Sequence, residues 1–404
     1  MGLVTGVVRA GRREPISAEI WVLVAAAMII ALGFGIVAPI LPQFARSFDV
    51  GLMAASSIVS VFALVRLLFA PAGGSLVNKL GERRVYIVGL LVVGTSSVLS
   101  GLATNFWWLL VFRGIGGMGS VMFTVSAMAL LVRLSPPAQR GHTSSLYGTA
   151  FLLGSIFGPI LGSAMQGLGL RIPFFIYAGA VFTAAAVVVV FLRGGTGGRP
   201  VDGEARDTLS LAEAIGLPYY RALLVTGFAH GWSNFGVRIA LLPLMAAAIP
   251  TLGTQSAGIA LTLFALGNAV TQQATGRLVD RVGRRPFLVV GLAVSALATV
   301  FFGWVDNLWA FLALSALAGA GAAFIAPASQ ALMADIIGSN RSGGQALSTY
   351  SMSMDLGSIA GTLVAGAIAD AVGFGWAFAV TGIVMGAAVV PWLFVRGRPW
   401  RART

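Results

Sequence analysis

Residues 74–84 read GSLVNKLGERR and residues 276–285 read GRLVDRVGRR, so one short basic sequence occurs twice. The two copies lie half a chain length apart in a chain of 404 residues, and each is flanked by long hydrophobic runs. Self-similarity at such a spacing is typical of membrane proteins that are built from two related halves. The repeat therefore predicts two halves with the same order of helices.

The composition indicates that most of the chain lies in a bilayer. Hydrophobic residues make up 57% of the chain and charged residues only 10%, whereas an ordinary soluble domain carries roughly 25% charged residues. The mean hydropathy is +0.91. The apolar runs are continuous rather than alternating, and a helix of about 20 apolar residues spans the bilayer core. We therefore predict an all-α membrane protein.

Twelve transmembrane helices, arranged as two pseudo-symmetric six-helix bundles, are predicted from these runs. The predicted domains are an N-terminal bundle (1–192), a cytoplasmic linker (193–218) and a C-terminal bundle (219–404). A short amphipathic helix is expected between Leu209 and Leu217. The predicted spans are 20–42, 52–78, 85–104, 107–132, 142–167, 172–192, 219–247, 254–279, 286–304, 307–334, 343–370 and 374–395.

The net charge of +13 is distributed unevenly over the predicted loops. With the N-terminus in the cytoplasm, nearly all loop arginines and lysines fall on the cytoplasmic side, and the other side holds little more than Arg46 and Arg171. This asymmetry follows the positive-inside rule and predicts that both termini are cytoplasmic. The basic residues then set the topology, so nucleic acid is not an expected partner.

The repeated loop resembles the signature between the second and third helices of the major facilitator superfamily, and the likeness extends over about residues 18–396. The chain is most similar to the twelve-helix drug–proton antiporter branch. In that family the loop is implied to act as a conformational latch through an aspartate–arginine relay. The residues that match it are Gly74, Asn78, Gly81, Arg83, Arg84, Asp280, Arg281, Gly283, Arg285 and Asp335.

The first copy departs from the family pattern, because Asn78 stands where an aspartate is usual and Arg133 occupies the counterpart of Asp335. A complete relay of Asp280, Arg281 or Arg285, and Asp335 is therefore expected only in the second half. The alternative is that these charges set the topology alone.

The fifth predicted span contains a strip of small residues that resembles the glycine–proline motif of exporters in this family. Small residues four positions apart let a neighbouring helix approach closely, and a proline allows bending. Ordinary helix packing is the alternative interpretation. The strip consists of Gly154, Gly158, Pro159 and Gly162.

Three ionisable residues within spans are predicted to couple protons to transport. Asp355 lies near mid-depth of the eleventh span among uncharged neighbours, and a low dielectric favours the protonated carboxyl. Arg113 matches an arginine of the fourth helix that the resemblance implies acts in proton coupling. His230 is a titratable group in the seventh span. The alternatives are a structural ion pair or a buried protonated acid for Asp355, an interfacial side chain for Arg113 and a solvated one for His230.

A substrate cavity is predicted from polar and aromatic residues within the spans. His230, Asn234 and Arg238 recur every four residues and therefore share one helix face. The cationic residues outnumber Asp355, which favours neutral or weakly anionic amphipathic substrates over strongly cationic ones. The predicted cavity residues are Arg66, Asn234, Phe235, Arg238, Asn268, Gln272 and Tyr350.

The resemblance implies a monomeric secondary transporter in the inner (plasma) membrane that exports a small-molecule substrate in exchange for protons. A proton-coupled importer or facilitator of a sugar or metabolite is the alternative. A membrane hydrolase or a sensor on the same fold is disfavoured. The chain has no cysteine and only two histidines, so no metal or cofactor is expected. It also lacks an ATP-binding loop of the type G-x-x-x-x-G-K-[ST].

Overall fold

In the computed structural model of the chain, the described residues are 16–135, 139–192, 209–338 and 343–395, without the side chains at positions 78, 132, 140, 141, 274 and 276–282. The side chains of the predicted latch residues Asn78, Asp280 and Arg281 lie outside this part. Residues 193–208 of the predicted linker and both chain termini also lie outside it.

The first half (residues 16–192) contains six long helices and one short one. The short helix α2 follows α1, so the first span ends earlier than predicted, near Pro39 and Pro42, which lack the N–H group that a helix interior needs. The helices are α1 (Ala18–Val37), α2 (Leu41–Arg46), α3 (Leu52–Leu80), α4 (Glu82–Leu102), α5 (Phe106–Leu134), α6 (Arg140–Ala164) and α7 (Ile172–Phe191).

The second half (residues 209–395) repeats this order after the predicted short helix, which is present as α8. Its first long segment runs from Pro218 to Ala248 and contains a π-helical section, Gly231–Val237, between α9 and α10. The helices are α8 (Leu211–Gly216), α9 (Pro218–His230), α10 (Arg238–Ala248), α11 (Ser256–Val282), α12 (Arg284–Val300), α13 (Leu308–Ile337), α14 (Gly344–Val372), α15 (Phe374–Ala387) and α16 (Val390–Phe394).

Ten of the helices in the described part are long and apolar enough to cross a membrane. Two further segments have membrane length. The α9–α10 segment is divided by its π-helical section, and α11 carries the polar residues Asn268, Gln272 and Gln273. The predicted fold class is confirmed: the chain is an all-α membrane protein with twelve helices in two pseudo-symmetric bundles.

The two halves have the same turn glycine and the same type of helix N-cap at equivalent positions. Gly81 ends α3 with φ +83°, and Gly283 ends α11 with φ +102°. Only glycine adopts this backbone region without strain, which explains the glycine in both copies of the repeated loop. Asn105 accepts a hydrogen bond from Trp108 N at the start of α5, and Asn307 accepts one from Trp309 N at the start of α13. Both asparagines therefore act as helix N-caps.

The glycine–proline strip of α6 packs against α1. A Cβ atom on Gly154 would lie 2.6 Å from Leu32 N, and one on Gly158 would lie 2.7 Å from Gly35 Cα. The backbones of the two helices are therefore in direct contact, as small-residue strips permit. In the second half Gly357 of α14 packs in the same way against Phe228 O of α9.

The halves meet at one end of the molecule, called here the closed end, which carries segments 38–51, 165–171 and 249–255. The Asp370 carboxylate at the end of α14 accepts hydrogen bonds from Leu52 N (2.8 Å) and Met53 N (2.7 Å) at the start of α3. Thr262 of α11 donates to Ile156 O of α6 at 3.1 Å. These contacts hold α3 against α14 and α6 against α11.

The opposite end, called here the open end, carries the turns at Gly81 and Gly283 together with α8. Along α3 and α14, the hydrogen bonds farthest from the closed end among described residues are those of the Ser60 hydroxyl, which contacts the Thr362 hydroxyl and donates to Ile359 O at 3.4 Å. Beyond these contacts the described parts of the halves share no hydrogen bond. Among the described residues, the hydrogen bonds between the halves therefore close the interior at the closed end.

Candidate functional site

A cavity of about 600 Å³ lies between the two halves. Its wall is mostly aromatic and aliphatic, and hydroxyl groups of α4, α5 and α6 add weak polarity. This volume and character are typical of small-molecule sites. The aromatic, charged and amide side chains of the wall are Phe34, Phe62, Arg66, Arg113, Phe123, Tyr147, Phe151, Tyr177, Asn234, Phe235, Arg238 and Phe264.

A second cavity of about 210 Å³ adjoins the first and extends towards α14. Arg66 and Arg113 line both cavities. Asp355 lines only the smaller one, beside Ser351, Met354 and Ser358 of the same helix. Among the described residues no carboxylate other than that of Asp355 reaches either wall.

Asp355 and Arg66 face the small cavity from opposite halves of the molecule. Within the described part the two groups form no ion pair within 4.0 Å. The Nε atom of Arg66 is buried without a hydrogen-bond partner among the described residues. Arg66 and Asp355 therefore face one cavity without a direct ion pair.

His230, Asn234 and Arg238 form a hydrogen-bonded series along one face of the seventh span. The Asn234 side-chain amide lies 3.0 Å from His230 Nδ1, and Arg238 Nε donates to Asn234 Oδ1 at 3.5 Å. All three are buried, although Asn234 and Arg238 also reach the large cavity. The π-helical section widens each turn here, and such sections are frequent at functional sites.

Two of the arginines place their guanidinium groups over phenylalanine rings. The Arg113 Cζ atom lies 4.8 Å from the ring centre of Phe62, and the Arg238 Cζ atom lies 4.2 Å from that of Phe264. The ring faces attract the cations. Each of these two guanidinium groups therefore has an aromatic neighbour in the cavity wall.

The structure brings together six of the residues that the sequence predicted for proton coupling and substrate binding. They lie in the walls of the two adjoining cavities: Arg66, Arg113, Asn234, Phe235, Arg238 and Asp355.

Four other predicted residues lie outside both cavity walls. Asn268 and Gln272 continue the face of α11 that carries Phe264, but they lie nearer the open end, where the halves separate. The Tyr350 ring packs against Gly227 of α9, where a Cβ atom would lie 2.8 Å from Tyr350 Cε2. His230 is buried beneath Asn234 rather than solvated at a helix end.

Several wall residues were not predicted from the sequence, notably Phe34, Phe62, Phe123 and Tyr177. Aromatic residues occur in most spans of this chain, and nothing in their local sequence distinguishes a cavity wall from helix packing. Their role depends on the arrangement of the helices around the cavity.

The repeated loop carries an ion pair in each half. Arg284 Nε lies 3.0 Å from Asp335 Oδ2, and in the first half Arg133 Nη1 lies 3.2 Å from Glu82 Oε2. The sequence instead suggested Arg281 or Arg285 as the partner of Asp335. The Arg285 side chain donates to Leu393 O at 3.4 Å, because it is one position farther around α12.

The other predicted latch residues of the first copy that the structure describes form no ion pair with a described residue. Arg83 donates to Val189 O of α7 at 2.7 Å, which parallels Arg285 in the second half. Arg84 is exposed, and a Cβ atom on Gly74 would contact nothing within 4 Å. A latch role for this loop stays a prediction.

Comparison with known proteins gives a family match over most of the chain. The model of the Major Facilitator Superfamily matches residues 23–254 and 223–404. The chain is 27% identical to the quinolone resistance protein NorA of Staphylococcus aureus (strain MRSA252) over 361 residues, which is 87% of this chain and 90% of that protein. It is 26% identical to the multidrug resistance protein MdtG of Salmonella paratyphi C (strain RKS4594), over 90% of this chain and 92% of that protein.

Solved structures share the fold at low identity. A bacterial homologue of the human lysosomal transporter Spinster, inward-facing and unoccupied, superposes with a TM-score of 0.76 and 16% identity over 95% of this chain and 96% of that chain. A POT family transporter in complex with 5-aminolevulinic acid gives a TM-score of 0.78 and 11% identity, covering 92% and 94%. On the evidence of the family match, which extends over both halves, the chain belongs to the Major Facilitator Superfamily.

Proposed function

We propose that the chain is a proton-coupled exporter of small amphipathic compounds, neutral or weakly anionic, in the drug–proton antiporter branch of its superfamily. The observation that carries the proposal is the cavity between the halves, which is mostly apolar and sealed at one end. Two relatives named as drug resistance proteins, each matching nearly the whole chain, support export rather than import.

The direction of the cavity follows from the loop charges. Lys79, Arg83, Arg84, Arg284 and Arg285 all lie at the open end. By the positive-inside rule this end is cytoplasmic, with both termini on the same side of the plasma membrane. The conformation is then inward-facing, and a substrate enters from the cytoplasm or the inner leaflet. Transport follows when the closed-end contacts break and the halves rock about the cavity.

Asp355 is the proposed proton carrier. It is the one acid of the cavity walls in the described part of the chain, and a charge within a membrane span is costly unless it has a role. Gain or loss of a proton changes the charge facing Arg66 by one unit. Since Arg66 also lines the large cavity, the substrate site experiences this change. Arg113 modulates the coupling from the same wall.

The test uses purified protein in liposomes that contain a pH-sensitive dye. An imposed proton gradient is challenged with neutral, anionic and cationic amphiphiles, and wild type is compared with Asp355→Asn and with Asp306→Asn, an exposed acid at the closed end. We expect substrate-dependent proton flux in wild type and Asp306→Asn but not in Asp355→Asn. Substrate movement without proton flux would make the chain a facilitator. Transport of quaternary ammonium compounds alone would contradict the proposed substrate class.

A further inference from the structure

Arg113 and Arg238 are cations that the protein buries without an anion. Arg113 is 5% exposed and Arg238 is 4% exposed. Within the described part of the chain no carboxylate lies within 4.0 Å of either guanidinium group. The Nε atom of Arg113 also has no hydrogen-bond partner. Arg238 has one polar side-chain partner, the Asn234 amide oxygen, which is neutral.

Such burial is unfavourable unless a negative charge compensates it, and arginine does not escape the cost by losing its proton. The cavity walls hold three arginines against one aspartate. Asp355 faces Arg66 in the small cavity and does not line the large one, where Arg238 lies. The large cavity therefore has an excess of positive charge that its own residues do not balance.

Arg113 and Arg238 line the same large cavity, and the guanidinium group is suited by its planar shape to a planar anion. The guanidinium groups of Arg113 and Arg238 lie over the rings of Phe62 and Phe264, and a guanidinium group donates hydrogen bonds through its N–H groups. A guanidinium edge donates two parallel hydrogen bonds to the oxygens of a carboxylate or a similar group. The aromatic side chains of the same wall suit an aromatic body attached to that group.

We propose that the large cavity selects amphipathic aromatic monoanions, whose acidic group is bound by Arg113 and Arg238 while the ring system packs against the phenylalanine residues. This inference rests on the proposed function, because it takes the large cavity as the substrate site, and it narrows the substrate class from neutral or weakly anionic compounds to anions. Asn234 holds Arg238 in place for this contact.

The test compares two probes of nearly the same shape, 2-naphthoate and its neutral analogue 2-naphthamide. Equilibrium binding to the purified full chain in lipid nanodiscs is measured by calorimetry. We expect wild type to bind the naphthoate at least about tenfold more tightly, since hydrogen bonds to charged groups have this magnitude. This comparison needs no substitution, so it does not depend on the folding of a variant.

Substitutions then assign the effect to residues. Arg113→Gln and Arg238→Gln should each weaken naphthoate binding about tenfold and change naphthamide binding by less than about twofold. Arg113→Lys, which keeps the charge, should retain part of the preference. Arg221→Gln, an exposed arginine at the start of α9, is the matched control and should bind both probes as wild type does.

Equal affinity of wild type for the two probes would overturn the proposal. So would failure of the naphthoate to bind, or unchanged naphthoate binding in both glutamine variants. The liposome assay separates this inference from the proposed function. Transport of the amide and the acid without preference would support the proposed exporter function and contradict the anion site. Selective binding of the acid with no transport of either probe would support the anion site and contradict the exporter function.

Discussion

Arg284 and Asp335 form an ion pair at 3.0 Å, and the equivalent positions of the first half, Glu82 and Arg133, form the same pair with the charges exchanged. In the first half both charges suit the helix dipoles, because Glu82 lies in the first turn of α4 and Arg133 in the last turn of α5. In the second half both charges oppose the dipoles. There the attraction between Arg284 and Asp335 opposes the unfavourable interactions with the helix ends.

Exchanging the charges of the first pair tests whether the ion pair or the individual charges stabilise this end. Arg133→Glu places two acids together and should lower the melting temperature by about 1 to 3 °C, because partly exposed pairs contribute less than about 1 kcal/mol. The double variant Glu82→Arg, Arg133→Glu should regain part of the loss. The melting temperatures are measured by differential scanning fluorimetry of the detergent-solubilised protein. Arg221→Glu, at an exposed position, is the control. A double variant no more stable than Arg133→Glu would refute the pairing.

Gly158→Ala should disrupt the contact between α6 and α1. The added Cβ atom would lie 2.5 Å from Leu32 O and 2.7 Å from Gly35 Cα, so the helices must separate. Overpacking of this kind costs about 1 to 3 kcal/mol, and we expect a lower melting temperature together with reduced transport. Gly179→Ala in α7 is the matched control, since its Cβ atom would contact nothing within 4 Å. Equal melting temperatures for the two variants would contradict this packing.

Asp370→Ala should favour opening of the closed end. The substitution removes the acceptor for Leu52 N and Met53 N, and losing such a cap costs about 1 kcal/mol, or about a fivefold shift in a two-state equilibrium. The chain has no native cysteine, so Ala38→Cys in the cavity wall reports access directly. A membrane-impermeant thiol reagent added at the closed-end side should react about fivefold faster in the Asp370→Ala background. Asp306→Ala is the control, and equal rates in both backgrounds would exclude a holding role for Asp370.

Asn234→Ala should destabilise the protein through Arg238. The variant removes the neutral acceptor of a buried guanidinium group, and an unsatisfied buried partner costs about 1 to 3 kcal/mol. We expect a lower melting temperature than for Asn268→Ala, a half-buried asparagine outside the cavity walls. If Asn268→Ala has a lower melting temperature than Asn234→Ala, the hydrogen bond from Arg238 to Asn234 contributes little to stability.

Much of the fold was predictable because membrane insertion depends on properties that are local in sequence. Length and continuity of apolar runs define the spans, and glycines such as Gly81 and Gly283 mark the turns between them. The glycine–proline strip could also be predicted from the sequence, since residues four positions apart share a helix face. The same reasoning placed Asn234 and Arg238 on one face, and the structure places both in the cavity wall.

Features that depend on how the helices pack against one another could not be predicted from the local sequence. Asn268 and Gln272 lie on the correct face of α11, but how far the cavity extends along that face is set by where the halves separate. The π-helical section was not predicted from the sequence, and the close packing of its Gly231 and Gly236 against α14 is likewise a contact between distant segments. The contact of Asp370 was not predicted from the sequence, since its partners, Leu52 and Met53, are more than three hundred positions away.

The contact made by Asp370 uses only backbone groups of its partner helix. Any residue at positions 52 and 53 except proline supplies the same N–H donor. Those two positions can therefore change over evolutionary time without loss of the N–H donors that this contact needs. Inheritance of this one contact of the closed end rests on a single codon, that of Asp370, rather than on a pair that must change together.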